Sequence, residues 1–257
     1  MSYKLHVRAD ALGAAAACAA YIASTLRREL SRAPLATLAV SGGSTPRLMF
    51  DVLAGEPLDW SRIHVFFVDE RSVPPGDPQS NYTLCETHLL TPAKVPEANV
   101  HRILAEHGAS AAAGQYRDEI LAFFGHNDVP SAGKGGEAAV AAGDAIPQFS
   151  VIQCGIGPDC HTASLFPGDP LIMDREGLVA AVEVAKLHQT RVTLLPGVLT
   201  AAAHVAVLAC GAEKAEALDH AFHAPLDLLQ YPAQLLVHEC RSDFFLDRAA
   251  ARLPEPA

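Results

Sequence analysis

An aspartate and a histidine stand two residues apart in the glycine-rich run Gly155-Ile156-Gly157-Pro158-Asp159-Cys160-His161-Thr162-Ala163-Ser164-Leu165-Phe166-Pro167-Gly168. An imidazole titrates close to neutral pH, so His161 is suited to take a proton from water. A carboxylate at Asp159 would orient that ring or stabilise its charged form. A lone Asp-x-His is weak evidence for this chemistry, because a histidine near a turn is more often a structural residue. Cys160 sits between the two, and it reads either as a nucleophile or, the favoured reading, as a packed thiol.

Two further runs have anion-binding chemistry. In Ser41-Gly42-Gly43-Ser44-Thr45-Pro46 the glycines would let the backbone approach an anion closely. The hydroxyls of Ser44 and Thr45, with the N–H groups of a starting helix, would donate to its oxygens. The alternative is an ordinary turn in which Ser44 or Thr45 caps the helix. The run lacks the lysine of a phosphate-binding P-loop, and it is not the G-x-S-x-G elbow of serine hydrolases. Val68-Asp69-Glu70-Arg71, followed by Val73-Pro74-Pro75 and Ser80-Asn81-Tyr82, places three charges directly after an apolar stretch. Such charges are costly unless they are paired or face a cleft. Arg71 offers a planar fork for phosphate or carboxylate; otherwise the segment is a solvated loop with a local ion pair.

The elements that must position these runs alternate in type. Strands are predicted over 5–8, 36–41, 63–69, 149–155, 192–195, 204–211 and 235–240. Helices are predicted over 9–32, from about 45–46, and over 80–90, 110–124 and 212–222. Interleaving of this kind indicates a doubly wound α/β fold, with a mostly parallel sheet and helices on both faces. Each chemical run then falls at the C-terminal end of a strand, the edge where open α/β sheets bind ligands. The Gly/Ala-rich segment 131–144 reads as a flexible surface loop within a single domain spanning 1–257.

Bulk composition narrows the function. Half of the 257 residues are apolar and 19% are charged, as in ordinary globular proteins. No apolar run is long enough for a membrane-spanning helix, and the first residues lack the pattern of a signal peptide. Six scattered cysteines without a C-x-x-C pair suit reduced thiols, and so the cytoplasm. A formal charge of −10 argues against nucleic acid or anionic membrane as a general partner. It leaves room for a small phosphorylated ligand in a locally cationic pocket. The histidines at 101, 107, 220 and 223 lack the spacing of a zinc site.

Taken together, SGGSTP (41–46), VDERSVP (68–74) with Ser80-Asn81, the run 155–168, RVTLL (191–195) and GAEKAEAL (211–218) resemble the successive signatures of the 6-phosphogluconolactonase family, in the family's order. The resemblance implies the fold of glucosamine-6-phosphate deaminase. It also implies hydrolysis of 6-phospho-D-glucono-1,5-lactone to 6-phospho-D-gluconate in the oxidative pentose phosphate pathway. No cofactor or metal is implied, and the partner is the sugar-phosphate lactone, acted on by a monomer or small homo-oligomer. His161 matches the general base and forms the catalytic group with Asp159 and Arg71. Ser41, Gly42, Gly43, Ser44, Thr45, Arg71, Arg191 and Lys214 match positions grouped with substrate and phosphate binding.

This chain departs from the family pattern in two places. Cys160 replaces a glycine, which would be strained if the position needs a positive φ. Leu195-Pro196-Gly197 replaces a longer Thr-Leu pattern, which bears on the placement of Arg191. Two other functions compete. An isomerase or deaminase of the same fold carries an acid five residues after the histidine, and here that residue is Phe166, which moves no proton. A non-catalytic sugar-phosphate sensor would keep the phosphate loop and have no need of the Asp159–His161 pair.

Overall fold

The computed structural model describes residues 3–126, 131–132 and 146–252. Its first strands are β1 (Lys4–Arg8), β2 (Ala36–Val40), β3 (Ile63–Phe67), β4 (Asp69–Arg71), β5 (Val100–His101) and β6 (Ser131–Ala132). They are followed by β7 (Ile146–Pro147), β8 (Val151–Cys154), β9 (Val179–Val184), β10 (Gln189–Leu194), β11 (Val205–Ala209) and β12 (Ser242–Asp247). The α-helices are α1 (Ala11–Leu30), α2 (Ser44–Leu53), α3 (Asn81–Cys85), α4 (Ala109–His126), α5 (Pro196–Ala201), α6 (Ala215–His223) and α7 (Gln234–His238).

Seven strands form one sheet in the order β1–β12–β11–β8–β2–β3–β5, with every pairing parallel. The central strands β2, β8 and β11 are buried along their whole length, as expected for a sheet covered on both faces. Consecutive residues of β3 show that covering. Phe66 packs on Phe123 and Phe124 of α4, and Phe67, pointing the other way, meets Tyr82 of α3. Because β5 is only two residues long, the end of β3 has no strand partner on that side. The Tyr116 hydroxyl takes its place, accepting from the Phe67 N–H at 2.8 Å and donating to the Phe67 carbonyl at 2.9 Å. α1 presents a stripe of small side chains, Ala14, Ala15, Cys18, Ala19 and Ala23, that lets the helix lie close to the sheet. It is started by Asp10, which accepts from the Gly13 N–H at 2.7 Å.

From β2 the chain builds outward through β3 and β5 on one side, and β8 restarts it on the other. The junction of β2 and β8 is therefore the topological switch point of the sheet, where doubly wound folds open a crevice. A second sheet, β4–β10–β9, is antiparallel and stands beside that crevice. Val68 joins the two sheets: its N–H donates to Val40 at 2.9 Å, and its carbonyl accepts from Leu194 at 2.8 Å.

The doubly wound architecture is as expected, with three local corrections. Residues 235–240 are not a strand; Gln234–His238 is the helix α7, and the strand follows as β12. The strand expected over 192–195 belongs to the second sheet and begins at Gln189. The strand expected over 63–69 ends at Phe67, and Asp69-Glu70-Arg71 forms the partner strand β4 of that second sheet. The segment 131–144 lies outside the described residues except for Ser131 and Ala132, which pair with β7. All six cysteines are free and buried. No helix among the described residues is long and apolar enough to cross a membrane.

Candidate active site

A cleft of about 220 Å³ opens at the switch point. Its walls come from the turn after β2, the turn after β8, the facing strands β4 and β10, and the segment after β11. Of the residues predicted from sequence, Ser41, Gly42, Gly43, Ser44, Thr45, Arg71, His161, Arg191 and Lys214 line it together, and Asp159 stands behind His161.

The first wall follows from the way β2 hands over to α2. The Ser41 N–H is held by the buried Gln153 side chain at 3.1 Å. Gly42 lies against Asn81, leaving no room for a Cβ, and Gly43 adopts φ +124° at the helix start. α2 has no side-chain cap, so neither Ser44 nor Thr45 fills the capping role. The first-turn N–H groups keep their electropositive character beside the cleft. The Ser41 hydroxyl is buried without a hydrogen-bond partner, a cost that a ligand oxygen would relieve.

Two arginines form the facing wall. Arg71 and Arg191 are direct partners in the β4–β10 ladder, where like charges normally destabilise a sheet. Arg71 Nη1 donates to the Gln79 carbonyl and to Asn81 Oδ1, the latter at 3.0 Å. Arg191 is buried, its Nη1 reaches Ser164 Oγ at 3.5 Å, and its Nε has no partner. Burial, reinforced by Arg71 and opposed by Asp69, pushes the Arg191 guanidinium down from its ordinary value. Two close guanidiniums with unused donors suit a multiply charged oxyanion.

The two acids before Arg71 have structural partners. Glu70 accepts from the N–H groups of Arg71, Asn81 and Tyr82, each at 2.8 Å, and from Ser80 Oγ at 2.9 Å. It thereby holds the 80–82 segment on the strand. Asp69 accepts from Ser164 Oγ at 2.6 Å and from Asn81 Nδ2 at 3.0 Å. It ties the arginine wall to the histidine turn. Asp69 and Asn81 also line the cleft, although sequence reasoning gave neither a site role. The signal was present in the position of Ser80-Asn81 after the charged run.

The histidine turn is folded back on itself. The Gly157 N–H donates to the His161 carbonyl at 2.8 Å, and the Cys160 N–H to the Gly157 carbonyl at 3.0 Å. Thr162 Oγ1 donates to the Gly155 carbonyl at 3.0 Å. Cys160 and Ala163 take φ +69° and +52°, so the residue replacing glycine does occupy a left-handed position. Cys160 Sγ is packed against the Ala217 carbonyl at 3.4 Å, and burial pushes its thiol up to about 11. That disfavours the thiolate a nucleophile requires. His161 Nδ1 lies 2.5 Å from Asp159 Oδ1. The carboxylate is the acceptor, so Nδ1 carries a proton, which in the neutral ring leaves the lone pair on Nε2. Gly157 is a spatial necessity, because a Cβ there would overlap the His161 ring. Phe166 packs on the same ring with centroids 4.4 Å apart, and the Arg191 guanidinium lies 5.5 Å from the Phe166 ring centre.

Lys214 completes the cleft. Gly211 turns the chain after β11 at φ +98°, and its N–H is held by Asp247. Burial pushes the Lys214 ammonium down, against the pull of Glu213 and Asp159. The cleft thus gathers three cations on a chain of net charge −10. Among the described residues no group of three or more His, Cys, Asp or Glu is placed to hold a metal.

Comparison with known proteins identifies the family. Residues 9–245 match the family described as glucosamine-6-phosphate isomerases/6-phosphogluconolactonase. The chain is 33% identical over 215 residues to a 6-phosphogluconolactonase of Nostoc sp., covering 83% of this chain and 82% of that one. It is 34% identical over 222 residues to a human 6-phosphogluconolactonase, covering 84% and 80%. The solved 6-phosphogluconolactonase of Trypanosoma cruzi superposes with a TM-score of 0.82 at 26% identity, over 98% of this chain and 96% of that one. A monomeric glucosamine-6-phosphate deaminase, at 17% identity and a TM-score of 0.75, shares the fold. The chain belongs to the glucosamine-6-phosphate isomerase/6-phosphogluconolactonase family, as an enzyme of its 6-phosphogluconolactonase group.

Proposed function

We propose that the protein hydrolyses 6-phospho-D-glucono-1,5-lactone to 6-phospho-D-gluconate in the cytoplasm, as a step of the oxidative pentose phosphate pathway, with His161 as general base. One observation carries the reading: a carboxylate-backed imidazole faces a cleft whose opposite wall holds two adjacent arginines. A lactone is an ester, so its opening needs an activated water and a fixed carbonyl. The 41–45 loop, Arg71, Arg191 and Lys214 hold the phosphate end, which places C1 beside His161 and turns remote binding into orientation. Nε2 removes a proton from water as its oxygen attacks C1. Asp159 stabilises the imidazolium that forms, and the C1–ring-oxygen bond breaks. The proton passes from Nε2 to the departing ring oxygen, restoring the base. The six buried free thiols are consistent with a reducing compartment, and the contiguous core with one domain spanning 1–257.

Phe166 argues against isomerase or deaminase chemistry. It occupies the place of the acid in those enzymes, and it is packed between His161 and Arg191 where no proton carrier can stand. The test is hydrolysis of freshly generated lactone by wild type and His161→Ala, each measured against spontaneous opening. The variant is expected to lose roughly 10²–10⁴-fold in kcat/KM. Full activity in the variant would remove His161 from its role, and no acceleration by folded wild type would overturn the lactonase reading.

A further inference from the structure

The opposite edge of the main sheet carries a second concentration of positive charge. Lys4 opens β1, His204 immediately precedes β11, and Arg241 immediately precedes β12. α1 lays Tyr21 and Arg28 across these strand starts, and Arg32 follows just beyond its end. With Asp243 these residues surround a depression of about 490 Å³. It is separate from the catalytic cleft, because β11 runs the full depth of the sheet between them. His204 stands at one end of that strand, and Leu208 and Ala209 line the cleft at the other. Five residues of strand span about 16 Å.

The charge in this depression is only partly balanced by its neighbours. Its one carboxylate, Asp243, is already bonded to His6 Nε2 at 2.6 Å and to the Tyr21 side chain. His204 is only 8% exposed and is wedged between the Tyr21 hydroxyl at 3.4 Å and Arg28 Nη2 at 3.1 Å. A guanidinium can only donate, so His204 Nε2 is an acceptor and the ring is held neutral. Burial, Arg241 and Arg28 all act in the same direction. His204 thus fixes the fork of Arg28, whose Nε lies 3.8 Å from the Glu29 carboxylate. Lys4, Arg32 and Arg241 take part in no ion pair among the described residues. The chain has 29 acidic against 19 basic residues. Lys4, Arg32 and Arg241, unpaired around one hollow beside Arg28, are therefore not the average surface of this molecule. Such a cluster attracts anions and is relieved by one.

We propose that this depression is a second anion site, which takes a small ligand bearing two or more phosphate charges. Inorganic polyphosphate and the phosphate chain of a nucleotide share that chemistry. Arg28 is pre-oriented by His204, and Arg32, Arg241 and Lys4 close on the ligand from the rim. The hollow has the volume of a small-molecule site, and its four cationic side chains are donors only.

The experiment is calorimetric titration of the purified full chain at fixed ionic strength, with inorganic tripolyphosphate and separately with adenosine triphosphate. Wild type and the Arg32→Ala/Arg241→Ala double variant are compared. Both side chains are exposed and lie outside the catalytic cleft, so the variant is expected to hydrolyse lactone at the wild-type rate. It should bind tripolyphosphate at least tenfold more weakly at one site. Tighter binding of adenosine triphosphate than of tripolyphosphate would assign the ligand to nucleotides, and equal binding to free polyphosphate. Superimposable titrations of wild type and variant would overturn the site. Should the variant unfold, the histidine imidazole resonances of wild type decide. A shift of His204 on addition of tripolyphosphate supports the site, and a response confined to His161 refutes it.

Discussion

His161 and His64 are both half-buried imidazoles beside the main sheet, and each has another titratable group against Nδ1. At His161 that group is a carboxylate, Asp159, at 2.5 Å, and the ring faces the cleft. At His64 it is a second imidazole, His101 Nε2, at 2.9 Å, and the carboxylate of Glu119 lies one ring further on, 2.7 Å from His101 Nδ1. Phe123 packs on His64 with ring centroids 4.6 Å apart. Burial, and then His101, push His64 down to about 4. The two regions show that burial alone does not make a base. In the proposed reading the Asp159 carboxylate, in direct contact, orients the His161 ring, whereas at His64 an imidazole intervenes before the Glu119 carboxylate and the ring is held neutral.

The largest effect tests the direct contact. Asp159→Asn keeps the shape of the pair but no longer demands a proton on Nδ1, and it removes the charge that stabilises the imidazolium. The expected loss in kcat/KM for lactone opening is roughly a hundredfold or more. Glu119→Gln, at the other relay, should leave the rate within about twofold, since general acid–base catalysis needs a group in reach of the substrate. Comparable losses from both changes would mean that the carboxylates act through stability, and a fully active Asp159→Asn would remove the orienting role.

The next effect is on stability rather than rate. The unfolded chain takes a proton on His64 near pH 6.5, and the folded chain resists it until about pH 4. The folded pKa is lowered, so the unfolded state binds more protons in that window and stability falls as pH drops through it. Fully expressed, the shift would correspond to about 3 kcal/mol; partial exposure of the ring reduces this to about 1–2 kcal/mol. Urea unfolding of wild type should therefore show a stability loss of that size between pH 7 and pH 4.5, and His64→Phe should flatten it. An unchanged pH profile in the variant would assign the loss to other groups.

The same contrast explains what could be read from sequence. The turns after β2 and β8 were legible because glycines, hydroxyls and an Asp-x-His leave a local signature of the conformation they require. The cross-strand pairing of Arg71 with Arg191 was not, because it depends on register between segments far apart in sequence. From sequence, Asp69-Glu70-Arg71 reads either as charges paired or facing a cleft or as a solvated loop, because three charges seldom form a buried strand. It becomes β4 only because Glu70 and Asp69 find donors on Ser80, Asn81 and Ser164. Residues 235–240 read as a strand for a different reason. A short apolar run such as Leu235-Leu236-Val237 has no period of its own, and the true strand, Ser242–Asp247, is disguised by polar residues at both ends. The His64–His101–Glu119 relay left no signal at all, since its members meet only when β5 and α4 pack against β3.

The smallest effect concerns how strictly the histidine turn depends on its own backbone. Cys160 holds φ +69°, where a Cβ costs roughly 1 kcal/mol. Against that, its buried thiol packs on the Ala217 carbonyl, and its own carbonyl accepts from the Ala233 N–H at 2.9 Å. Cys160→Gly relieves the strain and loses the packing. The two terms oppose each other at similar size, so stability should change by less than about 1 kcal/mol and lactone opening should persist. Cys160→Val keeps the Cβ and adds branching at a left-handed position, and it should be the more damaging change in both measurements. Loss of activity in Cys160→Gly, with the fold intact, would instead make the thiol a participant in the chemistry. The contrast with His64 would then no longer turn on the carboxylate alone.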